Sequence, residues 1–227
     1  MIAISLARSA ITSESLLSDI LDGHIPTQLA LQPIFALSDM SIFGYEVLAR
    51  WDNYRPDLIF KAAVRYGSVV PLERLVLRQV TKLLDSVTPH LFVNVHPSIQ
   101  SPTDWHLLPT DKVILEITED AAIRFASVQS LRDFGFALAL DDLGKGSANL
   151  EALAVIQPEF IKLDKSMIQL PYHKARNSLI QALIDHTSRV GSVLIVEGIE
   201  TPEQLQTVQA LGAPLAQGYY LARPRLV

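Results

Sequence analysis

Phe136-Ala137-Leu138-Ala139-Leu140-Asp141-Asp142 sets an apolar run between Gly135 and two adjacent aspartates, and Leu143-Gly144-Lys145-Gly146 follows as a loop signal. An apolar run of this length between turn residues reads as a parallel strand buried on both faces. Carboxylates beside a core are costly unless paired or bound to metal. In α/β folds, the C-terminal ends of the strands are also where sites are built. A plainer reading is that Asp141 and Asp142 only cap the following helix, since Asp is a favoured N-cap residue.

Upstream of this stretch, a helix over Ser127–Phe134 is preceded by a strand over Val113–Thr118, which holds Glu116 with Glu119 just beyond. Before that, Leu91–Val95 reads as a strand holding Asn94. Downstream come a helix over Ala148–Ile156, a strand over Phe160–Asp164 holding Lys162, and a long helix over Lys174–Val190 stopped by Gly191. Val193–Val196 is a strand running into Glu197-Gly198-Ile199-Glu200. Thr201-Pro202-Glu203 opens a helix that Gly212 closes, and Ala216–Leu221 is the last strand, starting near Gln217. Alternating strands and helices argue for a mostly parallel sheet.

The N-terminal part has a different rhythm. Ser13–Leu21 reads as an amphipathic helix capped by Ser13. Leu29–Leu37 and Ile42–Trp51 read as strands joined by the turn Ser38–Ser41. That connection is too short for a parallel crossover, so the pair is antiparallel. Pro56–Tyr66 and Pro71–Leu84 read as helices with proline near each start. The strand count predicts an α/β fold, a TIM-like (β/α)8 barrel with an antiparallel first strand. A doubly wound open sheet is the alternative, but no glycine-rich phosphate loop supports it, and Gly144-Lys145-Gly146 lacks the spacing of either nucleotide fingerprint.

Composition bounds the chemistry. The 227 residues are 49% hydrophobic, enough for one large core, and contain no cysteine. Disulfides, thiolate catalysis and Cys-ligated zinc are therefore excluded, and a reducing cytoplasm is compatible with this. The formal net charge is -5 and no basic run appears, so general nucleic-acid binding is not expected. No apolar stretch is long enough to predict a membrane span. The opening residues do not read as a signal peptide, and residues 1–12 read as a flexible N-terminal extension of a single domain over 1–227.

Glu46, Asn94, Glu116, Asp141, Lys162, Glu197 and Gln217 each sit in or just after an apolar run. A barrel would bring them to one face. Each alone has a plain explanation: Lys162 could snorkel, Asn94 could satisfy backbone, Glu119 could lie on the surface. Together they would be many buried polar groups without a common purpose, which proteins rarely carry. Carboxylates plus one amide oxygen form a hard-ligand set suited to Mg²⁺ or Mn²⁺. Adjacent aspartates suit two metals, and two-metal sites act on phosphate esters. Bound cations would also let an acidic pocket accept an anion. Lys162 near the metals could handle the proton of a water, its pKa falling beside cations. Arg50, four residues from Glu46 on one strand, lies on the same side of it and offers a fork for a phosphate or a guanine edge.

Tyr45-Glu46-Val47-Leu48-Ala49-Arg50 resembles the signature segment of EAL-domain cyclic di-GMP phosphodiesterases, with Val47 in place of the family's alanine. Leu31-Gln32-Pro33-Ile34, Phe92-Val93-Asn94-Val95, Leu115-Glu116-Ile117-Thr118-Glu119, Asp141-Asp142, Ile161-Lys162-Leu163-Asp164, Glu197-Gly198-Ile199-Glu200 and Gln217-Gly218-Tyr219 follow in family order. A lone Glu-x-Leu carries no information; the ordered series is highly specific. It runs from the helix near Ser13 almost to the C-terminus and leaves no room in this chain for a sensor or cyclase domain.

The resemblance implies hydrolysis of cyclic di-GMP to linear pGpG with two Mg²⁺ or Mn²⁺ ions. It implies that Glu46, Asn94, Glu116 and Asp141 hold one metal, that Asp142 joins them at the second, and that Glu197 completes the site. Lys162 would assist the attacking water, which Gln217 would position. Gln32, Leu48 and Arg50 would contact substrate. Glu119 would hold the loop after the aspartates and Glu200 would support the site. It also implies a homodimer formed through that loop. The chain departs from the family there: Leu143-Gly144-Lys145-Gly146-Ser147-Ala148 keeps the glycines of the usual Phe-Gly-Thr-Gly-Tyr-Ser run but loses its aromatic, threonine and tyrosine. Three functions are thus distinguished: an active phosphodiesterase, a receptor that binds the nucleotide without efficient cleavage, and a protein-interaction domain. An intact ligand set speaks against the last.

Overall fold

The computed structural model describes residues 12–96, 105, 108–118, 125–145, 150–170 and 173–227. Among the described residues nine strands form one sheet: β1 (Gln28–Ala36), β2 (Ile42–Arg50), β3 (His90–Asn94), β4 (Val113–Thr118), β5 (Ala137–Leu143), β6 (Phe160–Leu163), β7 (Val193–Val196), β8 (Leu215–Ala216) and β9 (Arg225–Leu226). β2 to β8 run parallel, each beside the next. β1 closes the ring by pairing antiparallel with β2 on one side and β8 on the other. Closure decides for the TIM-like barrel with an antiparallel first strand and against the open sheet. β9 adds a short antiparallel pairing on β1.

The helices among the described residues are α1 (Ser13–Leu21), α2 (Pro56–Arg65), α3 (Val69–Leu83), α4 (Phe125–Asp133), α5 (Leu150–Ile156), α6 (Lys165–Gln169), α7 (His173–Val190) and α8 (Pro202–Ala210). Between strands and helices lies the main core, where Leu115, Leu138, Ile161 and Leu194 are among the residues buried from the outward faces of the strands. A satellite cluster around Trp51, Ile59, Leu72 and Ile20 joins α1, α2 and α3.

A separate apolar layer fills the barrel interior: Ile34, Phe92, Ile114, Ala139, Ile195 and Leu215, with Phe160 packed against it. This layer places the site. Side chains along a strand return to the same face every second residue. Two residues beyond the layer, toward the C-terminal ends of the parallel strands, stand Asn94, Glu116, Asp141, Lys162, Glu197 and Gln217. On β1, which runs the other way, the matching residue is two positions earlier: Gln32, directly paired with Glu46.

Several local expectations need correcting. Thr12, not Ser13, caps α1, its side chain accepting from the Ser15 N–H at 3.2 Å. The rest of the expected extension, residues 1–11, lies outside the described residues. The aspartates do not cap a helix; β5 continues through them to Leu143. Its pairing with β6 shifts register between Leu140 and Leu143, and Asp142 takes φ 61°. The last strand ends at Ala216, because the chain turns at Gly218, where Ala222 N–H donates to the Gly218 carbonyl at 2.9 Å. A Cβ on Gly218 would lie 2.2 Å from the Ile199 backbone, so only glycine permits this approach. α6, capped by Asp164, and β9 were not anticipated.

Candidate functional site

The interior of the barrel mouth is organised around one buried ammonium. Lys162 Nζ lies 2.7 Å from Glu116 Oε1, 3.0 Å from Glu197 Oε1, 3.1 Å from Asp141 Oδ1 and 3.7 Å from Glu46 Oε1. Its side chain is 1% exposed. Four strands thus each deliver an acid to one cation carried by a fifth, β6. Asn94 Nδ2 donates to Glu116 Oε2 at 2.9 Å, a contact set by the direct pairing of these residues across β3 and β4. Gln217 Nε2 donates to Glu46 Oε2, and Gln32 Nε2 to the Ala222 carbonyl at 3.3 Å.

The electrostatics follow from burial. Desolvation alone would lower the Lys162 pKa, but the charges of Asp141, Glu116, Glu197 and Glu46 outweigh it and hold the ammonium well above its ordinary range. Burial raises Glu116 well above the usual carboxylate range, with Lys162 opposing the shift. Burial likewise pushes Glu197 up to about 8, again against Lys162. At the bulge, Asp142 N–H donates to Asp141 Oδ1 at 2.9 Å. Asp142 Oδ2 meets Lys145 Nζ at 2.7 Å.

Gln32, Glu46, Asp141, Asp142, Lys162, Glu197, Glu200 and Gln217 line one cavity of about 260 Å³. Tyr219, from the Gln217-Gly218-Tyr219 motif, also lines it, as does Lys165, which no motif contains. Leu48, Arg50 and Asn94 line a neighbouring cavity, also about 260 Å³, with Phe60, Glu73, His96 and Trp105. Arg50 Nη1 there donates to the Ala49 carbonyl at 2.9 Å. Glu116 lines neither, its side chain fully buried. Glu119 lies outside the described residues. Glu73 is a further acid of this second cavity. It accepts from the His96 N–H at 2.6 Å through Oε1, its Oε2 is buried without a partner, and burial pushes its pKa up to about 8. The apolar spacing of Val69, Leu72, Leu77 and Val80 along α3 puts this acid on the inward face, a signal that could have found it.

Among the described residues, no group of three acid or histidine side chains already stands at metal-ligand spacing; the acids converge on the ammonium instead. The donor set is nonetheless one of hard oxygens, and Gln217 Oε1 is buried in the same cavity without a partner. In kind, these residues fit a hard divalent cation.

A family model described as EAL domain matches residues 14–224, nearly the whole chain. The chain belongs to the EAL domain family. This EAL domain is 30% identical over 230 residues to the cyclic di-GMP phosphodiesterase RocR of Pseudomonas aeruginosa, the match covering 85% of the chain and 56% of RocR. It is 29% identical over 219 residues to the probable cyclic di-GMP phosphodiesterase PdeD of Escherichia coli, covering 87% of the chain and 41% of PdeD. The chain therefore spans about half the length of these curated relatives. Among solved structures, the EAL domain of FimX from Pseudomonas aeruginosa, bound to c-di-GMP, superposes with a TM-score of 0.83 at 26% identity, covering 93% of this chain and 96% of that one. No helix among the described residues is long and apolar enough to cross a membrane.

Proposed function

We propose that this EAL domain, occupying residues 1–227 as one unit, is a metal-dependent phosphodiesterase that hydrolyses cyclic di-GMP to linear pGpG. The observation that carries the reading is the convergence of Glu46, Glu116, Asp141 and Glu197 from four strands on Lys162. Surface acids do not gather this way, and a buried acid cluster needs cations. The names of RocR and PdeD support the same substrate.

Glu46, Asn94, Glu116, Asp141 and Glu197 would hold one Mg²⁺ or Mn²⁺, and Asp142 would join them at a second. Bound there, such ions activate water and neutralise the attacked phosphate. The chain's own residues do the rest. Cations on its acids would cancel the charges that keep Lys162 an ammonium; neutral, Lys162 would take the water proton as the new P–O bond forms and hand it to the 3′ oxygen that the phosphate leaves. Gln217, already tied to Glu46, offers its free Oε1 to orient that water. Gln32 and Glu200 line the same cavity, where the phosphate would sit. The adjoining apolar cavity, with Leu48 and Arg50, has room for a purine, and the Arg50 fork suits a guanine edge.

A second reading, a receptor that binds cyclic di-GMP but turns it over slowly, is favoured by one feature: Asp142 already has a cation of its own in Lys145. Incubating the purified protein with cyclic di-GMP and Mn²⁺ separates the two. Release of pGpG is the expected result; binding without product would favour the receptor, and neither binding nor product would overturn both.

A further inference from the structure

The two aspartates of β5 are each matched by a lysine, but from different places. Asp141 is matched by Lys162 from the adjacent strand, and Asp142 by Lys145 from three residues along its own chain. The second match is built by the backbone. Asp142 sits at φ 61° and Gly144 at φ 99°, and the Lys145 N–H donates to the Asp142 carbonyl at 3.0 Å. A Cβ on Gly144 would lie 2.5 Å from the Met167 side chain, so the turn is pressed against α6. This tight turn sends the Lys145 side chain back over Asp142, where Nζ and Oδ2 are 2.7 Å apart.

We propose that Lys145 is a tethered cation that competes with a divalent ion at Asp142, so that this chain holds one divalent ion tightly and a second only weakly. The inference rests on the proposed metal site. A divalent ion held by Asp142 would need the carboxylate that Lys145 now neutralises at 2.7 Å, and would meet the positive charge of that ammonium there. Like charges at that range repel strongly when partly shielded from water. The lysine stem is flexible and its side chain is 63% exposed, so Lys145 can swing away. The second ion is therefore weakened rather than blocked.

The test is a count of bound ions. Mn²⁺ is titrated into the purified protein while free Mn²⁺ is followed by electron paramagnetic resonance, for the wild type, Lys145→Ala, Lys145→Arg and Glu46→Ala. The wild type is expected to bind one ion tightly and a second at least tenfold more weakly. Lys145→Ala tightens the second at least tenfold, and Lys145→Arg leaves it as in the wild type. Lys145 is exposed, so its variants fold, and a thermal melt verifies this. Two ions of like affinity in the wild type, or no change in Lys145→Ala, would overturn the proposal while leaving the metal site standing. Absence of bound Mn²⁺ in every variant, or a first ion untouched by Glu46→Ala, would overturn the metal site and this inference with it.

Discussion

Lys162 Nζ and Glu116 Oε1 lie 2.7 Å apart, with side chains 1% and 0% exposed. This pair stands at the centre of the acid cluster, with Asp141 and Glu197 within 3.1 Å of the same nitrogen. Removing the lysine leaves buried carboxylates facing one another. Lys162→Met is expected to destabilise the metal-free protein by about 3–5 kcal/mol, the range for breaking a buried ion pair. Mn²⁺ should restore part of the loss, because an ion bound only by the folded state adds to its stability. Urea unfolding with and without Mn²⁺ measures both; a variant as stable as the wild type would show that the acids do not depend on this cation.

Glu46 shares its two oxygens between Lys162 and Gln217, and it lines the acid cavity. Glu46→Ala should lower pGpG release by at least about 100-fold, since even partners outside the ligand set cost 10- to 100-fold. Product is measured by chromatography. Retained activity would remove Glu46 from the reacting centre.

Gly218→Ala tests the turn that carries Gln217. The new methyl would meet Ile199 backbone atoms at 2.2 Å, and backbone cannot give way as a side-chain end can. The expected cost is about 1–3 kcal/mol, the range for overpacking, read as a lowered midpoint in urea. An unchanged midpoint would mean that the segment after β8 adjusts freely.

Glu73 gives a pH dependence. Its ordinary pKa of 4.5 is raised by burial to about 8 in the folded protein. Between these values the unfolded chain has lost the proton that the folded chain keeps, so the contribution of Glu73 makes stability fall as pH rises. The slope from this one group is at most about 1.4 kcal/mol per pH unit. Glu73→Gln, which can still accept from His96, should flatten the profile across this window and leave stability below pH 4.5 unchanged. Parallel profiles for the two proteins would show that Glu73 ionises normally.

Much of the site was legible because of how strands present side chains. Asn94, Glu116, Asp141, Lys162 and Glu197 are polar residues within or just after short apolar runs, and that contrast survives in a bare sequence. The antiparallel first pair was legible from the brevity of Ser38–Ser41. Glu73 is legible only through the apolar spacing of its helix, since a single acid on a predicted helix otherwise looks like surface. The strand expected over Ala216–Leu221 runs past its true end at Ala216, because apolar residues after Gln217 look alike whether they pair or turn.

By itself, then, the sequence determined the alternation of strands and helices, the reversed first strand and the set of acids available, since these depend on local composition and period. The tertiary structure alone decided that the sheet closes, that four acids share one ammonium and that Leu48 and Arg50 line a separate cavity from Glu46. It also decided that a bulge turns Asp142 toward Lys145. Such relationships depend on register between strands and on backbone twist, which place residues far apart in sequence within a few ångströms.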